Sequence, residues 1–314
     1  MKLQTRRNLF FLGLLMITAI IAGVCSCSDT DDDDDSWRQQ SGAKNSNRND
    51  NSREPALARL EFPKVKGGNS IVLIYTTNDQ YGINYSVEWD VNKKAQRWSC
   101  YQMTSDFDGP YGSSSFMEDP DLPASYRLDD SNRYYSGSGF DRGHLCPNAD
   151  RKYSKLANQQ TYYYTNMQPQ YHMFNAGPRK QNGDQDWTRK SPWLRMEEQV
   201  RVWAKVAAND TLYVVKGGTI EEGQLLMKVK NELLVPKYFF VALLAKNKSG
   251  YKALGFWFEH DNVDHYADAL GKYVVNVRDL EQKTGIDFFC NLPDETEERV
   301  EALPVENVRK AWGL

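Results

Sequence analysis

Between Ser70 and Tyr75 the chain runs Ser-Ile-Val-Leu-Ile-Tyr, a β-branched block that predicts a strand. Two more strands are predicted at Tyr85–Asp90 and Arg97–Met103, joined through the polar turn Asn92–Lys94 as an antiparallel hairpin. From Thr104 to Gly139 the chain is polar and rich in Gly and Pro, with Asp119-Pro120-Asp121-Leu122-Pro123 inside it, and predicts a long loop. Later strands are predicted at Leu212–Lys216, Tyr238–Ala245 and Ala253–Phe258, the last two linked through Asn247-Lys248-Ser249-Gly250. One helix starts at Ser191, a good N-cap, with Pro192 in the first helical position. At 100° per residue, Trp193, Met196, Val200, Trp203 and Ala207 share an arc of about 80°, which predicts a buried face with Glu197 and Arg201 at its edge. A shorter helix is predicted over Val277–Thr284, capped by Gly285. No internal repeat is present. Strands with helices interspersed predict an α+β fold built on an antiparallel sheet.

Ahead of these elements lie segments with other jobs. Lys2, Arg6 and Arg7 precede an apolar run, Leu9–Val24, of about 16 residues, short of the roughly 20 that cross a bilayer. It predicts an export signal, and its end resembles a bacterial lipoprotein box in which Cys27 would carry the lipid. The acidic stretch Asp31–Asp35 just beyond is similar to a surface-export signal of some lipoproteins, and Arg6-Arg7 weakly resembles a twin-arginine signal. Residues 28–55 hold almost nothing apolar and predict a flexible tether, so the organisation expected is signal 1–27, tether 28–55 and a folded domain 56–314. The expected site of the molecule is the outer membrane or cell surface, or the periplasm.

Of 314 residues, 39 are Lys or Arg and 42 are Asp or Glu, which excludes a general basic coat for nucleic acid. Residues 141–205 depart from that balance with eleven Lys/Arg against six Asp/Glu, a local cationic strip. Arg151, Lys152, Lys155, Arg179, Lys180, Arg189 and Lys190 can line a groove for a sugar-phosphate backbone. Tyr162, Tyr163 and Tyr164 can stack on bases, although a tyrosine run alternating across a strand is more often core. Cys100, Cys146 and Cys290 are an odd set for an exported chain, compatible with one disulfide and a free thiol or with three thiols, and no Cys-x-x-Cys spacing points to zinc.

The chemistry concentrates in Gly139-Phe140-Asp141-Arg142-Gly143-His144-Leu145-Cys146-Pro147. A neutral imidazole can take a proton from water near pH 7, an arginine can hold a phosphate oxygen, and Asp141 can orient either. The string Asp141-Arg142-Gly143-His144 resembles the signature of the DNA/RNA non-specific endonucleases, the endonuclease G-like branch of the ββα-metal (His-Me finger) nucleases. The resemblance continues in order through Thr165-Asn166-Met167-Gln168-Pro169-Gln170, Phe174-Asn175, and Trp193, Met196, Glu197 and Arg201, and covers roughly residues 70–295. It implies a central antiparallel sheet flanked by helices and hydrolysis of DNA and RNA to 5′-phosphate and 3′-hydroxyl ends. His144 would be the general base, and Asn175 the direct ligand of magnesium or manganese. Glu197 would hold metal-bound waters, Asn166 would orient the site, and Arg142 and Arg201 would neutralise charge on the phosphate.

Two features depart from the family pattern. Asn175 and Glu197 are 22 positions apart instead of sharing one short helix, and Gly177-Pro178, Asn182-Gly183 and Ser191-Pro192 between them predict an insertion. It could bring Asp184 or Asp186 next to the metal. Cys146 takes the place of a small residue. Two rivals stand beside the endonuclease expectation: a phosphodiesterase for small nucleotides, and a non-catalytic surface nucleic-acid-binding lipoprotein on a degenerate nuclease fold.

Overall fold

A computed structural model describes residues 44–77, 82–206 and 209–314. The export signal, Cys27, the tether as far as residue 43, and Ala207 lie outside the described residues. In chain order the first half carries β1 (Ser70–Thr76), β2 (Ile83–Asp90), β3 (Ala95–Met103), α1 (Ser131–Tyr135), β4 (Phe140–His144), α2 (Lys155–Gln160), β5 (Met167–Tyr171) and α3 (His172–Asn175). The second half carries α4 (Pro192–Ala204), β6 (Asn209–Gly218), β7 (Leu225–Val229), β8 (Leu233–Pro236), β9 (Tyr238–Asn247), β10 (Gly250–Glu259) and β11 (Val274–Val275). Three helices follow: α5 (Val277–Thr284), α6 (Asp294–Glu301) and α7 (Val305–Trp312).

Seven strands form one sheet in the order β1-β2-β3-β6-β9-β10-β11, with every neighbouring pair antiparallel. Its central strands are buried on both faces, which is why Phe239–Ala245 reads as an unbroken apolar run. Leu212, Val214, Val241, Leu243 and Phe256 pack on one side with Trp193, Met196 and Val200 of α4 and Trp312 of α7. Tyr213, Val215, Ala242 and Leu244 pack on the other with Val277 and Leu280 of α5 and Val300 of α6. Burial of each such large side chain contributes on the order of 1.5–3 kcal/mol.

The ribbon β4-β5 stands apart from this sheet, with Arg142 paired to Pro169 and His144 to Met167. The helix anticipated after Ser191 forms as expected, the Ser191 hydroxyl accepting from the Leu194 amide at 3.1 Å. Between α3 and α4 the insertion is real but closed at its base: the Ser191 amide donates to the Ala176 carbonyl at 3.2 Å. Gly177 is needed there, because its φ is +103° and a Cβ would lie 2.3 Å from the Arg189 carbonyl. Phe174 and Trp193 therefore stack across the insertion with ring centroids 5.4 Å apart.

Several expectations are corrected. The tether was expected through residue 55, yet residues from Asn45 onward dock on the folded domain. Asn45 donates to the carbonyls of Cys290 and Leu292, and Asn49 to the carbonyl of Pro63; such side-chain docking leaves no trace in hydropathy. Tyr162–Tyr164 is not a strand but a turn leading into a short 3-10 helix, Tyr164–Asn166. All three cysteines are free and buried. Helices α6 and α7 and the short strands β4 and β5 are elements that the hydrophobic pattern did not mark.

Candidate active site

Residue Asn166 is completely buried and fixes the turn that follows His144. Its side-chain oxygen accepts from the Cys146 amide at 2.9 Å and from Ser99 Oγ at 3.3 Å, and its amide nitrogen donates to the carbonyls of Cys146 at 2.9 Å and Thr161 at 2.8 Å. Its own carbonyl accepts from the Leu145 amide at 3.0 Å. Both ends of its carboxamide are thus engaged within the fold.

On β4, residues two apart share a face, so Arg142 and His144 point the same way. The His144 ring lies edge-on to Tyr162 with centroids 5.0 Å apart, and 5.8 Å from Phe116, a ring supplied by the long loop. Its Nε2 is shut off from solvent and has no hydrogen-bond partner among the described residues. Burial, reinforced by the positive charge of Lys216, lowers the imidazole pKa to about 3. Arg142 donates to Tyr164 Oη at 3.3 Å and to Asn132 Oδ1 at 2.6 Å, and its guanidinium lies 5.1 Å from the Phe116 centroid.

On the other face of β4, Asp141 Oδ2 receives the Asn175 amide nitrogen at 3.0 Å and pairs with His172 Nδ1 at 2.7 Å. Asp141 thereby holds the NH2 end of Asn175 and leaves Oδ1 as the end suited to a cation. His172 Nε2 continues to Gln185 Oε1 at 3.0 Å, inside the insertion. The insertion thus reaches the asparagine through Gln185, not through the acids expected to do so. Asp184 takes Asn182 Nδ2 and Asp186 takes the Thr188 hydroxyl, both within the loop.

Helix α4 carries Glu197 and Arg201 on its sheet side. Glu197 pairs with the fully buried Lys216 of β6 at 2.5 Å, and Arg201 with the buried Asp150 at 2.8 Å. Burial raises the Glu197 pKa, with Lys216 and Arg201 opposing the shift. Of the anticipated groove cations, Arg151 is a core residue, its guanidinium 4.5 Å from the Tyr101 ring centroid and bonded to the carbonyls of Asn84, Asp150 and Gln102. Lys152 pairs with Asp108, Lys190 with Glu198 and Arg189 with Asp264, while Lys155, Arg179 and Lys180 are exposed.

The model of the DNA/RNA non-specific endonuclease family matches residues 69–295. The chain belongs to that family. It is 27% identical over 259 residues to the mitochondrial nuclease EXOG of Xenopus laevis, spanning 76% of this chain and 66% of that protein. It is 28% identical to a nuclease of Nostoc sp. over 69% of this chain and 75% of that one. The solved EndoG/EndoGI complex superposes with a TM-score of 0.55 at 17% identity, covering 72% of this chain and 89% of that one, and establishes the ββα-metal nuclease fold. The relatives are nucleases, so the chain's family is one of hydrolases acting on nucleic acid.

Three further residues beside this candidate site escaped the sequence reading. Lys216 had a visible signal: along β6 it shares a face with Leu212 and Val214, and a lysine at an inward position needs a buried partner. His172 offered only its rarity, and Phe116 sat in a stretch with no periodicity at all.

The lowered His144 pKa has a definite sign. Burial disfavours the imidazolium, so the ring stays neutral while ordinary histidines protonate near 6.5. In proton NMR of the metal-free protein, the imidazole signal that disappears in His144→Gln is expected not to titrate between pH 8 and pH 5. A midpoint near 6.5 would contradict the burial described here.

Proposed function

We propose that the protein is a divalent-metal-dependent endonuclease that hydrolyses phosphodiester bonds of DNA and RNA without sequence preference, exported and anchored through a lipid on Cys27. The observation that carries the chemistry is the half-buried His144 two residues from Arg142 on one face of β4. A neutral imidazole there accepts the proton of an attacking water, and Arg142 neutralises the phosphate it faces. Arg201, anchored on Asp150, keeps further guanidinium donors for the same purpose.

The donor set fits a hard, well-hydrated ion. Among the described residues no group of three or more His, Cys, Asp or Glu is arranged to hold a metal. Asn175 Oδ1 is the one direct ligand inferred, and an ion held mainly by water is the habit of magnesium, with manganese as a substitute. Such an ion would polarise the phosphate and stabilise the leaving 3′ oxygen. Glu197, paired through Oε1 with Lys216, would hold metal-bound water with its other oxygen, and Asn166 and Asp141 would keep His144 and Asn175 oriented.

The purified folded domain is expected to nick supercoiled plasmid and degrade RNA when magnesium is present, with loss on chelation and recovery with manganese. His144→Ala should lower the rate by at least about 100-fold while salt-sensitive DNA binding is retained. No magnesium-dependent nicking by the wild type removes the endonuclease reading, and a fully active His144→Ala variant removes the assigned base. Export and anchoring rest on the sequence of residues 1–35 alone. They predict palmitate labelling that is lost in Cys27→Ala, and labelling unchanged by that substitution refutes the anchor.

A further inference from the structure

His260 directly follows β10 of the main sheet and is 1% exposed. Both of its ring nitrogens are occupied by backbone. Nδ1 lies 2.8 Å from the Pro236 carbonyl of β8, and the Tyr171 amide at the end of β5 donates to Nε2 at 2.8 Å. One side chain therefore joins the seven-stranded sheet, the β7-β8 hairpin and the β4-β5 ribbon. A carbonyl only accepts and an amide only donates, so Nδ1 carries the hydrogen, Nε2 is bare and the ring is neutral. Burial holds it so, lowering its pKa from the ordinary 6.5 to about 4 against the pull of the Pro236 carbonyl and Asp261.

What this ring holds is the start of α3. Tyr171 is the N-cap of that helix and gives it no side-chain cap, and the helix is four residues long, His172–Asn175. A single turn does not sustain itself, so its place is set by what grips its ends. His260 grips both. Its Nε2 takes the Tyr171 amide, and its ring meets the Tyr171 ring at 4.9 Å and the Phe174 ring edge-on at 5.0 Å between centroids. Asn175 is the next residue.

We propose that His260 is a positioning residue for metal binding: by accepting from the Tyr171 amide through Nε2, it seats α3 so that the Asn175 carboxamide is presented to the ion. Packing alone asks for no nitrogen there. Phe140 and Phe239 complete the surroundings, with ring centroids 6.2 Å and 5.1 Å away, and a phenylalanine would fill them without burying two polar atoms. The inference rests on Asn175 as the metal ligand and adds to it a residue that acts through the backbone of α3.

The test titrates Mn²⁺ into the metal-free protein by electron paramagnetic resonance, a readout independent of cleavage. His260→Phe is expected to weaken Mn²⁺ binding about 10-fold and to speed hydrogen exchange of the Tyr171 amide. His260→Gln, which keeps an acceptor for that amide, should recover most of the wild-type affinity. Folded His260→Phe protein that binds Mn²⁺ as tightly as wild type overturns the proposal, because lost packing alone lowers stability without changing the affinity of the folded form. Should that variant fail to fold, the wild type still decides. Its nitrogen-15 spectra are expected to show the His260 hydrogen on Nδ1 with Nε2 bare from pH 8 to pH 5, and a hydrogen on Nε2, or titration within that range, overturns the proposal. Mn²⁺ affinity unchanged by Asn175→Ala refutes the metal-ligand reading itself, a different outcome from either.

Discussion

One buried carboxamide determines where the chemistry can happen. The ribbon β4-β5 is not part of the main sheet, and its own ladder is only five residues long on each strand. Asn166 ties the end of that ribbon to the turn after His144 and, through Ser99, to β3 of the sheet. Each of these bonds is buried, so removing the amide would leave several backbone groups unpaired at about 1–3 kcal/mol apiece. The position of the imidazole is thus inherited from a residue that never meets substrate.

Around this pin the molecule places charge where it is costly. Lys216 is buried in the sheet and is matched by Glu197, and Asp150 is buried and matched by Arg201. Such pairs add little net stability, but each partner forces the other's location, which fixes α4 against β6 and against the turn after β4 that carries Asp150. The same field keeps His144 neutral, since Lys216 and burial both disfavour a second positive charge. A neutral base, an anchored amide and a cation-flanked carboxylate follow from one packing arrangement, and the insertion can be long without disturbing them because Ala176 and Ser191 close its stem.

Much of this was legible in the sequence. Strands β1, β2 and β3, helix α4 with its Ser191 cap and helix α5 with Gly285 in left-handed conformation appear within a residue or two of expectation, because apolar periodicity and cap chemistry are local signals. His144, Arg142, Asn166, Asn175, Glu197 and Arg201 were named from ordered motifs; their partners were not. Asp150, Lys216 and His172 are joined to them by tertiary contacts between distant segments. Arg151 was misjudged for the reverse reason: charge counted along the chain says nothing about a guanidinium that finds three carbonyls and a tyrosine face in the core.

The central proposal is that the His144 imidazole at the end of β4 and the Asn175 carboxamide at the end of α3 serve one hydrated cation. Paramagnetic manganese tests it directly by broadening nearby NMR signals. The account predicts that sub-stoichiometric Mn²⁺ broadens the His144 imidazole resonance and that the effect is lost in Asn175→Ala. A His144 signal that stays sharp while manganese binds, or broadening that survives Asn175→Ala, would contradict it.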